Sequence, residues 1–304
     1  MNVMVTGATG FVGREVLRQL LTRGHAVRIV VRNPAAAAAR DAAARFGVEL
    51  RRGDVVKDAS LADAVRGVDA VIHLVGIIGE IGQNTFENAH VHATNHVVRA
   101  ATAAGARRYV QMSALGTRPD AVARYHQTKW SAEEIVRHSG LDATIFRPSL
   151  IYGAEDHFVN LFATLSRWSP MLPVMGSGQN RLQPVAVEAV AAALVGALTD
   201  PRAVGQTMDL CGPEPLTFLA VLDTILDVLR RRRFKLRVPL PLARIQAAAL
   251  EFIFPTLLGR AAPLNRDQLI MLQEDNVGDP WPAAEMFGLK LAPFREGIAA
   301  YLRP

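Results

Sequence analysis

Ser113, Tyr125 and Lys129 are the residues of this chain whose types and spacing could do acid–base work. Ser113 closes an apolar run, and Tyr125 and Lys129 follow it at a spacing that puts phenol and ammonium on one face of a helix. A phenol with an ordinary pKa near ~10 is a poor acid–base at neutral pH. A nearby ammonium stabilises the phenolate and draws that pKa toward the working range. The expected roles are therefore Tyr125 as proton carrier, Lys129 as its modulator and Ser113 as the group orienting a hydroxyl or carbonyl. A chance helical pair, or an inherited set that now only holds a ribose, would show the same spacing.

A second set could hold a nucleotide. Thr6-Gly7-Ala8-Thr9-Gly10-Phe11-Val12-Gly13 spaces three glycines between an apolar run and a helical pattern. Such a loop allows a tight turn, close backbone approach to a pyrophosphate and N–H groups aimed at negative charge. Gly7, Thr9, Gly10, Phe11, Val12 and Gly13 are its candidate contacts. Where an NAD enzyme usually places an acid at the end of the second strand, this chain has Arg32. An acid would repel a 2′-phosphate, whereas a guanidinium binds one through paired hydrogen bonds. Arg14, in the first turn of the helix, is a second candidate, and Arg40 an auxiliary one. NADP(H) is thus expected over NAD(H), with NAD(H) as the alternative.

These residues need a frame that alternates strands and helices. Apolar runs at Asn2–Thr6, Ala26–Val31, Val48–Arg52, Ala70–Leu74, Arg108–Met112, Ala143–Phe146 and Thr207–Leu210 read as strands. Helical periods near 11–23, 34–46, 60–66, 84–104, 126–138 and 186–199 separate them. The pattern predicts an α/β fold, a Rossmann-like doubly wound parallel sheet. Residues 151–183 read as irregular. Helices are expected at about 216–230, 240–258, 265–275 and 293–302. The predicted division is a nucleotide domain over 1–150, completed by about 184–212, and a smaller, mostly helical C-terminal lobe from 151–183 and 213–304.

The glycine loop, Gly53-Asp54, Val71-Ile72-His73-Leu74, Met112-Ser113, Tyr125 with Lys129, and Phe146-Arg147-Pro148-Ser149 resemble the short-chain dehydrogenase/reductase superfamily, closest to the extended and atypical members that include sugar-nucleotide epimerases. Pro263-Leu264-Asn265-Arg266-Asp267-Gln268 and Leu272-Gln273-Glu274-Asp275-Asn276 are similar to the nicotinamide-nucleotide-binding accessory subunit of respiratory complex I and its bacterial relatives. The resemblance implies that Asp54 and Val55 meet the adenine, that Leu74, Val75 and Gly76 line the cofactor, that Lys129 also binds it, and that Pro148 and Ser149 lie near the nicotinamide. His73, inside an apolar run, is expected to pack in the core.

Composition narrows the partners. The chain has 304 residues, half of them hydrophobic, and 34 Lys and Arg against 28 Asp and Glu for a net charge of +6. That excess suits an anionic ligand, a membrane surface or an acidic partner, and no nucleic-acid module is present. Cys211 is the only cysteine, so neither a disulfide within the chain nor a cysteine metal site is expected, and no metal is assigned. The first strand begins too early for a signal peptide. Arg230–Arg233 beside the apolar stretch 240–258 is the candidate contact with a membrane surface or with complex I subunits. Prolines and charges interrupt that stretch, so a spanning helix is not expected. Two functions remain open: an accessory or assembly subunit of complex I holding a structural nucleotide, or a free oxidoreductase or epimerase on a small carbonyl or sugar-type substrate. The first is expected at the inner face of the membrane, the second in the cytoplasm as a monomer or small homo-oligomer.

Overall fold

Strands β1 (Asn2–Thr6), β2 (Ala26–Val31), β3 (Glu49–Arg52), β4 (Ala70–His73), β5 (Arg108–Met112) and β6 (Asp142–Pro148) come from the apolar runs of the first half of the chain. Four short strands follow, β7 (Ile151–Tyr152), β8 (Met171–Met175), β9 (Arg181–Leu182) and β10 (Val185–Ala186), and then β11 (Thr207–Leu210), β12 (Leu216–Thr217) and β13 (Phe234–Val238). The computed structural model describes residues 1–57 and 60–303, leaving aside the side chain of Leu258, so Pro304 lies outside the described residues. Seven strands form one all-parallel sheet in the order β11-β6-β5-β4-β1-β2-β3. Its order reverses at β1, which pairs β2 on one side (Thr6 beside Val30) and β4 on the other (Thr6 beside His73). Ligands of such sheets bind beyond the strand ends at that reversal.

Both faces of the inner sheet are covered, which is why its central strands are short, largely apolar runs rather than alternating ones, while the edge strand β3 (Glu-Leu-Arg-Arg) is mostly exposed. On one face lie α1 (Phe11–Thr22) and α2 (Ala37–Phe46). α1 buries Val12, Val16, Leu17 and Leu20. On the other lie α3 (Ala93–Ala103), entered through a wide turn at Glu87–His92, and α4 (Arg124–Arg137). Val97, Val98, Ala101 and Val136 pack there with Met4, Val71 and Tyr109 of the strands. After α5 (Phe158–Trp168), α6 (Val187–Gly196) packs on the α1 face and is buried on nearly every side.

The remaining helices are α7 (Phe218–Val228), α8 (Leu240–Ile253), α9 (Arg266–Met271), α10 (Trp281–Phe287) and α11 (Phe294–Ala299). α8 and α9 pack on each other and α10 packs through Ala283 into the sheet core beside α6, while a second core joins Phe162 of α5, Leu172 of β8, Val221, Leu222 and Ile225 of α7, and Phe294 and Ile298 of α11. Three two-stranded pairings complete it: β7 with β10, β9 with β12, and β8 with β13.

Several boundaries differ from expectation. The helix expected at 60–66 is a run of turns, closed by the Val65 N–H on the Leu61 carbonyl. Its apolar spacing is satisfied by one turn that buries Leu61, Ala64, Val65 and Val68, and one turn cannot propagate. Residues 151–183, expected to be irregular, hold α5 and three short strands, because pairing partners over 30 residues away complete them. The helix expected over 265–275 is confined to α9. α10 was not expected at all: a proline stands in its first turn, where the missing N–H costs nothing.

Candidate functional site

The glycine loop has the geometry a pyrophosphate needs. Gly7 has φ of +75°, and a Cβ there would lie 3.1 Å from the backbone of Leu74 and Val75. A Cβ on Gly13 would lie 2.4 Å from the Gly7 carbonyl oxygen, so the helix can follow the strand this closely only with glycine. Gly10 begins α1 with extended backbone, no side chain caps the helix and its first turn has no acid. The first-turn N–H groups are therefore free to meet an anion. These features fit a dinucleotide, with Gly7, Thr9, Gly10, Phe11, Val12 and Gly13 as the residues that would hold its phosphates.

The loop after β4 lies against the same turn. The Leu74 N–H donates to the Thr6 carbonyl at 3.1 Å, and Val75 and Gly76 follow it. A Cβ on Gly76 would meet the Lys129 ammonium at 2.9 Å, which places Lys129 at the backbone of this loop. Lys129 is buried and donates to the Met112 carbonyl at 3.3 Å, one residue before Ser113. Burial draws its pKa down to about 8, against the opposing pull of Glu133 one turn away. Glu133 is fully buried between Arg137 (2.5 Å) and Arg147 (2.7 Å).

Tyr125 behaves differently from the sequence expectation. Burial pushes its pKa up to about 12. Its ring is walled by Phe86 (5.9 Å), His90 (5.2 Å) and His126 (5.2 Å), each edge to face. Ser113 Oγ has Thr117 Oγ1 as its partner at 3.5 Å, and no hydrogen bond joins Ser113, Tyr125 and Lys129 among the described residues. The ammonium that was to activate the phenol instead serves the β4 loop and β5. His90 links the two regions: its Nδ1 meets Thr128 Oγ1 at 2.8 Å and its Nε2 accepts the Ile77 N–H at 3.2 Å. Burial, then the Lys129 charge, holds His90 far below the usual histidine range. Burial also lowers His126, to about 4. His73 is a core residue, fully buried, with Nδ1 2.6 Å from Thr6 Oγ1.

The segment expected to meet an adenine is simpler. Asp54 and Val55 follow β3; the Asp54 carboxylate accepts the Val56 N–H at 3.1 Å, and Ser60 Oγ bridges the Asp54 backbone. Arg32 is exposed at the end of β2 and has no ion pair among the described residues. Arg14 does not stand free beside it, because its guanidinium pairs with Glu155 at 2.7 Å. Pro148 ends β6. Ser149, expected near the nicotinamide, is committed to Asn276: its hydroxyl lies 2.5 Å from Asn276 Oδ1 and accepts the Gln183 N–H at 3.3 Å.

A strap drawn from 265–276 crosses this region, and its sequence motif alone does not reveal the contacts it makes. Asn265 caps α9 in a capping box and donates to the Ile78 carbonyl at 2.8 Å. The Asp267 carboxylate accepts the N–H groups of Arg124 (3.2 Å) and Tyr125 (2.7 Å), capping α4, whose own N-cap Ala123 offers nothing. Glu274 takes both arms of Arg118 at 2.9 and 3.1 Å. Asp275 accepts the Arg181 backbone and guanidinium, so the glycine-rich turn at 176–181 is fastened as structure. Sequence reasoning missed His90 and Asp267 as neighbours of Tyr125, and no local spacing signals them; His126, also missed, is the next residue along the chain.

The basic run also divides. Arg231 donates to the Ala163 carbonyl and Ser166 Oγ, and Arg233 to the Ser166 carbonyl, so both satisfy the end of α5. Arg230, with φ of 52°, and Arg232 are exposed. Beyond them the helical run does not break at its prolines: Leu240–Leu257 is continuous, with mean hydropathy 1.2, and by length and composition alone could cross a membrane. It packs through Ala243 and Ala247 against Leu269 of α9 and leaves Ile245 (68%), Phe252 (73%) and Leu257 (77%) exposed.

A parallel seven-stranded sheet with a glycine loop at its reversal point and a lysine reaching the next loop defines a nicotinamide-nucleotide-binding Rossmann protein of the short-chain dehydrogenase/reductase type. The chain belongs to the NAD(P)H-binding family, whose pattern matches residues 7–201. It is 32% identical to NADH dehydrogenase (ubiquinone) 1 alpha subcomplex subunit 9, mitochondrial, of Arabidopsis thaliana, over 90% of this chain and 70% of that one. To the subunit of the same name from Mus musculus it is 31% identical, over 78% and 63%. It is also 34% identical to a ceramide reductase of Caulobacter vibrioides, over 66% and 61%. The chain thus spans less than two thirds of the length of these last two relatives. Among solved structures, an Escherichia coli NADPH-dependent quinone oxidoreductase complexed with NADPH superposes with a TM-score of 0.77 at 19% identity, covering 98% of this chain and 99% of that one. A Bacillus cereus UDP-glucuronic acid 4-epimerase superposes with a TM-score of 0.72 at 16% identity, covering 99% and 98%. These two likenesses show the fold alone.

Proposed function

We propose that this protein is an accessory or assembly subunit of respiratory complex I, the NADH:quinone oxidoreductase, in which a bound NADP(H) is mainly structural. The observation that carries this reading is the state of Tyr125. A group held near pKa 12 by burial and walled by three rings is a poor proton carrier at neutral pH. The kinship with alpha subcomplex subunit 9 along nine tenths of the chain supports the same reading. Bound, the nucleotide would bridge the glycine loop, the Leu74–Gly76 loop and Lys129, and so tie α1, β4 and α4 together. Arg32 favours NADP(H), because a free guanidinium stands where a ribose-selecting acid would be.

In this reading 151–183 and 213–304 form the partner lobe. Arg230 and Arg232 are exposed, as are Ile245, Phe252 and Leu257 of the helix that follows β13, and basic and apolar groups of this kind are what a peripheral contact with an acidic membrane surface uses. The helix lies along the surface of the lobe, since Ala243 and Ala247 hold one side of it to the protein. Membranes solubilised in mild detergent and resolved by native mass spectrometry test the assignment. The expected result is the protein with one NADP(H) in an assembly of respiratory subunits, unchanged when Tyr125→Phe is substituted. A soluble protein free of such subunits, with turnover abolished by Tyr125→Phe, would overturn it.

That second outcome describes the alternative, an NAD(P)-dependent oxidoreductase or epimerase using Ser113, Tyr125 and Lys129 on a small carbonyl or sugar-type substrate. The retained three residues and the ceramide reductase relative favour it. A nicotinamide would supply hydride, and Lys129 would hold its ribose.

A further inference from the structure

We propose that Arg52 is the second arm of the 2′-phosphate site, closing with Arg32 on a phosphate monoester at the end of β2 and β3. This rests on the NADP(H) reading above and names a residue and a geometry that it lacked.

Register brings the two arginines together. Arg52 sits beside Val31 in the β2–β3 pair, and the Gly53 N–H donates to the Val31 carbonyl at 3.0 Å, which fixes the pairing to the strand end. Arg32 is the next residue along β2. With strands ~4.8 Å apart and ~3.3 Å of rise per residue, the two Cα atoms lie about 6 Å apart. Guanidiniums on such neighbouring positions reach one phosphate group from two directions.

The same strand pair shows what happens where no ligand is needed. At its other end Glu49 sits beside Arg28 and takes the guanidiniums of both Arg28 (2.7 Å) and Arg51 (2.5 Å). At the C-terminal end Arg32 and Arg52 are both exposed, and neither has an ion pair or side-chain hydrogen bond among the described residues. Asp54, two residues on, turns its carboxylate to the Val56 N–H. Two like charges side by side without an acid repel each other, and a dianion between them reverses the sign of that interaction.

The direction of Arg52 is also suitable. Leu50 packs into the core on the α1 and α2 face, and strand alternation carries Arg52 to the same face. Arg32 lies past the last paired residue of β2, at a bend rather than in the pleat, so strand alternation does not send it to the far face, and the chain continues from it into α2 on the Arg52 side. Arg14, the other candidate for a second arm, is held by Glu155. Because β3 is the edge strand and Arg52 is exposed, substitution there leaves the core untouched.

Calorimetric titration of the intact protein with NADPH and NADH, and with 2′-AMP and 5′-AMP as fragments, tests the proposal on wild type, Arg32→Gln, Arg52→Gln and Arg52→Lys. The unmutated protein should prefer NADPH by at least ~10-fold. Arg52→Gln should lose about tenfold for NADPH and 2′-AMP while NADH and 5′-AMP stay within about twofold, and Arg52→Lys should recover part of the loss. Unchanged NADH affinity doubles as the control for folding. If wild type prefers NADPH and Arg52→Gln leaves the preference intact, or weakens both nucleotides equally, the role of Arg52 is refuted and the NADP(H) reading stands. Equal wild-type affinities for NADPH and NADH would refute that reading itself.

Discussion

Replacing Lys129 by methionine should stabilise the nucleotide-free protein while damaging its nucleotide binding. The ammonium is buried, and its pKa falls from an ordinary 10.5 to about 8. At ~1.4 kcal/mol per unit, that shift corresponds to about 3 kcal/mol of stability sacrificed at neutral pH. The folded-state pKa lies below the unfolded one, so between pH 8 and about 10.5 the unfolded chain holds a proton that the folded chain has released. Stability contributed at this site therefore rises with pH through that window, and the full penalty is present below pH 8. Methionine fills similar volume without the charge. Urea unfolding of wild type and Lys129→Met, each at pH 7, 8, 9 and 10, isolates the effect because other titrating groups cancel in the difference. The variant should be more stable by about 3 kcal/mol at pH 7, with the gap closing toward zero by pH 10 to 11. Saturating NADPH should narrow the gap at pH 7, since the wild type gains roughly 2.7 kcal/mol at a hundredfold excess over Kd and the variant binds less well. A variant no more stable than wild type at pH 7, with a pH-independent gap, would refute the burial of a charged Lys129 as the source of the shift.

Two further substitutions probe other parts of the site. Gly13→Ala should cost at least ~10-fold in affinity for NADPH and NADH alike, because a Cβ 2.4 Å from the Gly7 oxygen forces the phosphate loop open; titration with both nucleotides reads the loss. Glu133→Leu should destabilise by roughly 3–5 kcal/mol in urea unfolding, since it leaves Arg147 half-buried and unpaired, and adding Arg147→Met should restore most of that.

Much of the fold was readable along the chain. The seven sheet strands fall on the seven strand-like runs; the inner ones are apolar at consecutive positions because they are buried on both faces, whereas the edge strand β3 is charged and exposed and was legible from its place in the strand–helix alternation. The glycine loop was readable for a similar reason: close backbone approach excludes any side chain, and the exclusion leaves a spacing. Short elements were less legible. Residues 60–66 carry helical spacing but complete one turn, and β8 exists because β13, 63 residues later, pairs with it.

Side-chain state was legible only in places, as for His73 inside its apolar run. The spacing of Tyr125 and Lys129 determined that they share a helix, but the rings of Phe86, His90 and His126 decided that the phenol sits near pKa 12 rather than being activated. Four consecutive arginines determined a basic segment; the end of α5 decided that Arg231 and Arg233 are spent on its carbonyls while Arg230 and Arg232 face outward. The motif at 265–276 was visible as letters, yet only packing made Asp267 the cap of α4 and Asn276 the partner of Ser149. Sequence alone determined the sheet, the phosphate loop and the charge left at the end of β2, since these follow from local periodicity, missing side chains and residue type. Tertiary structure decided which of those groups are free, because pKa and availability depend on neighbours that the chain brings from far away.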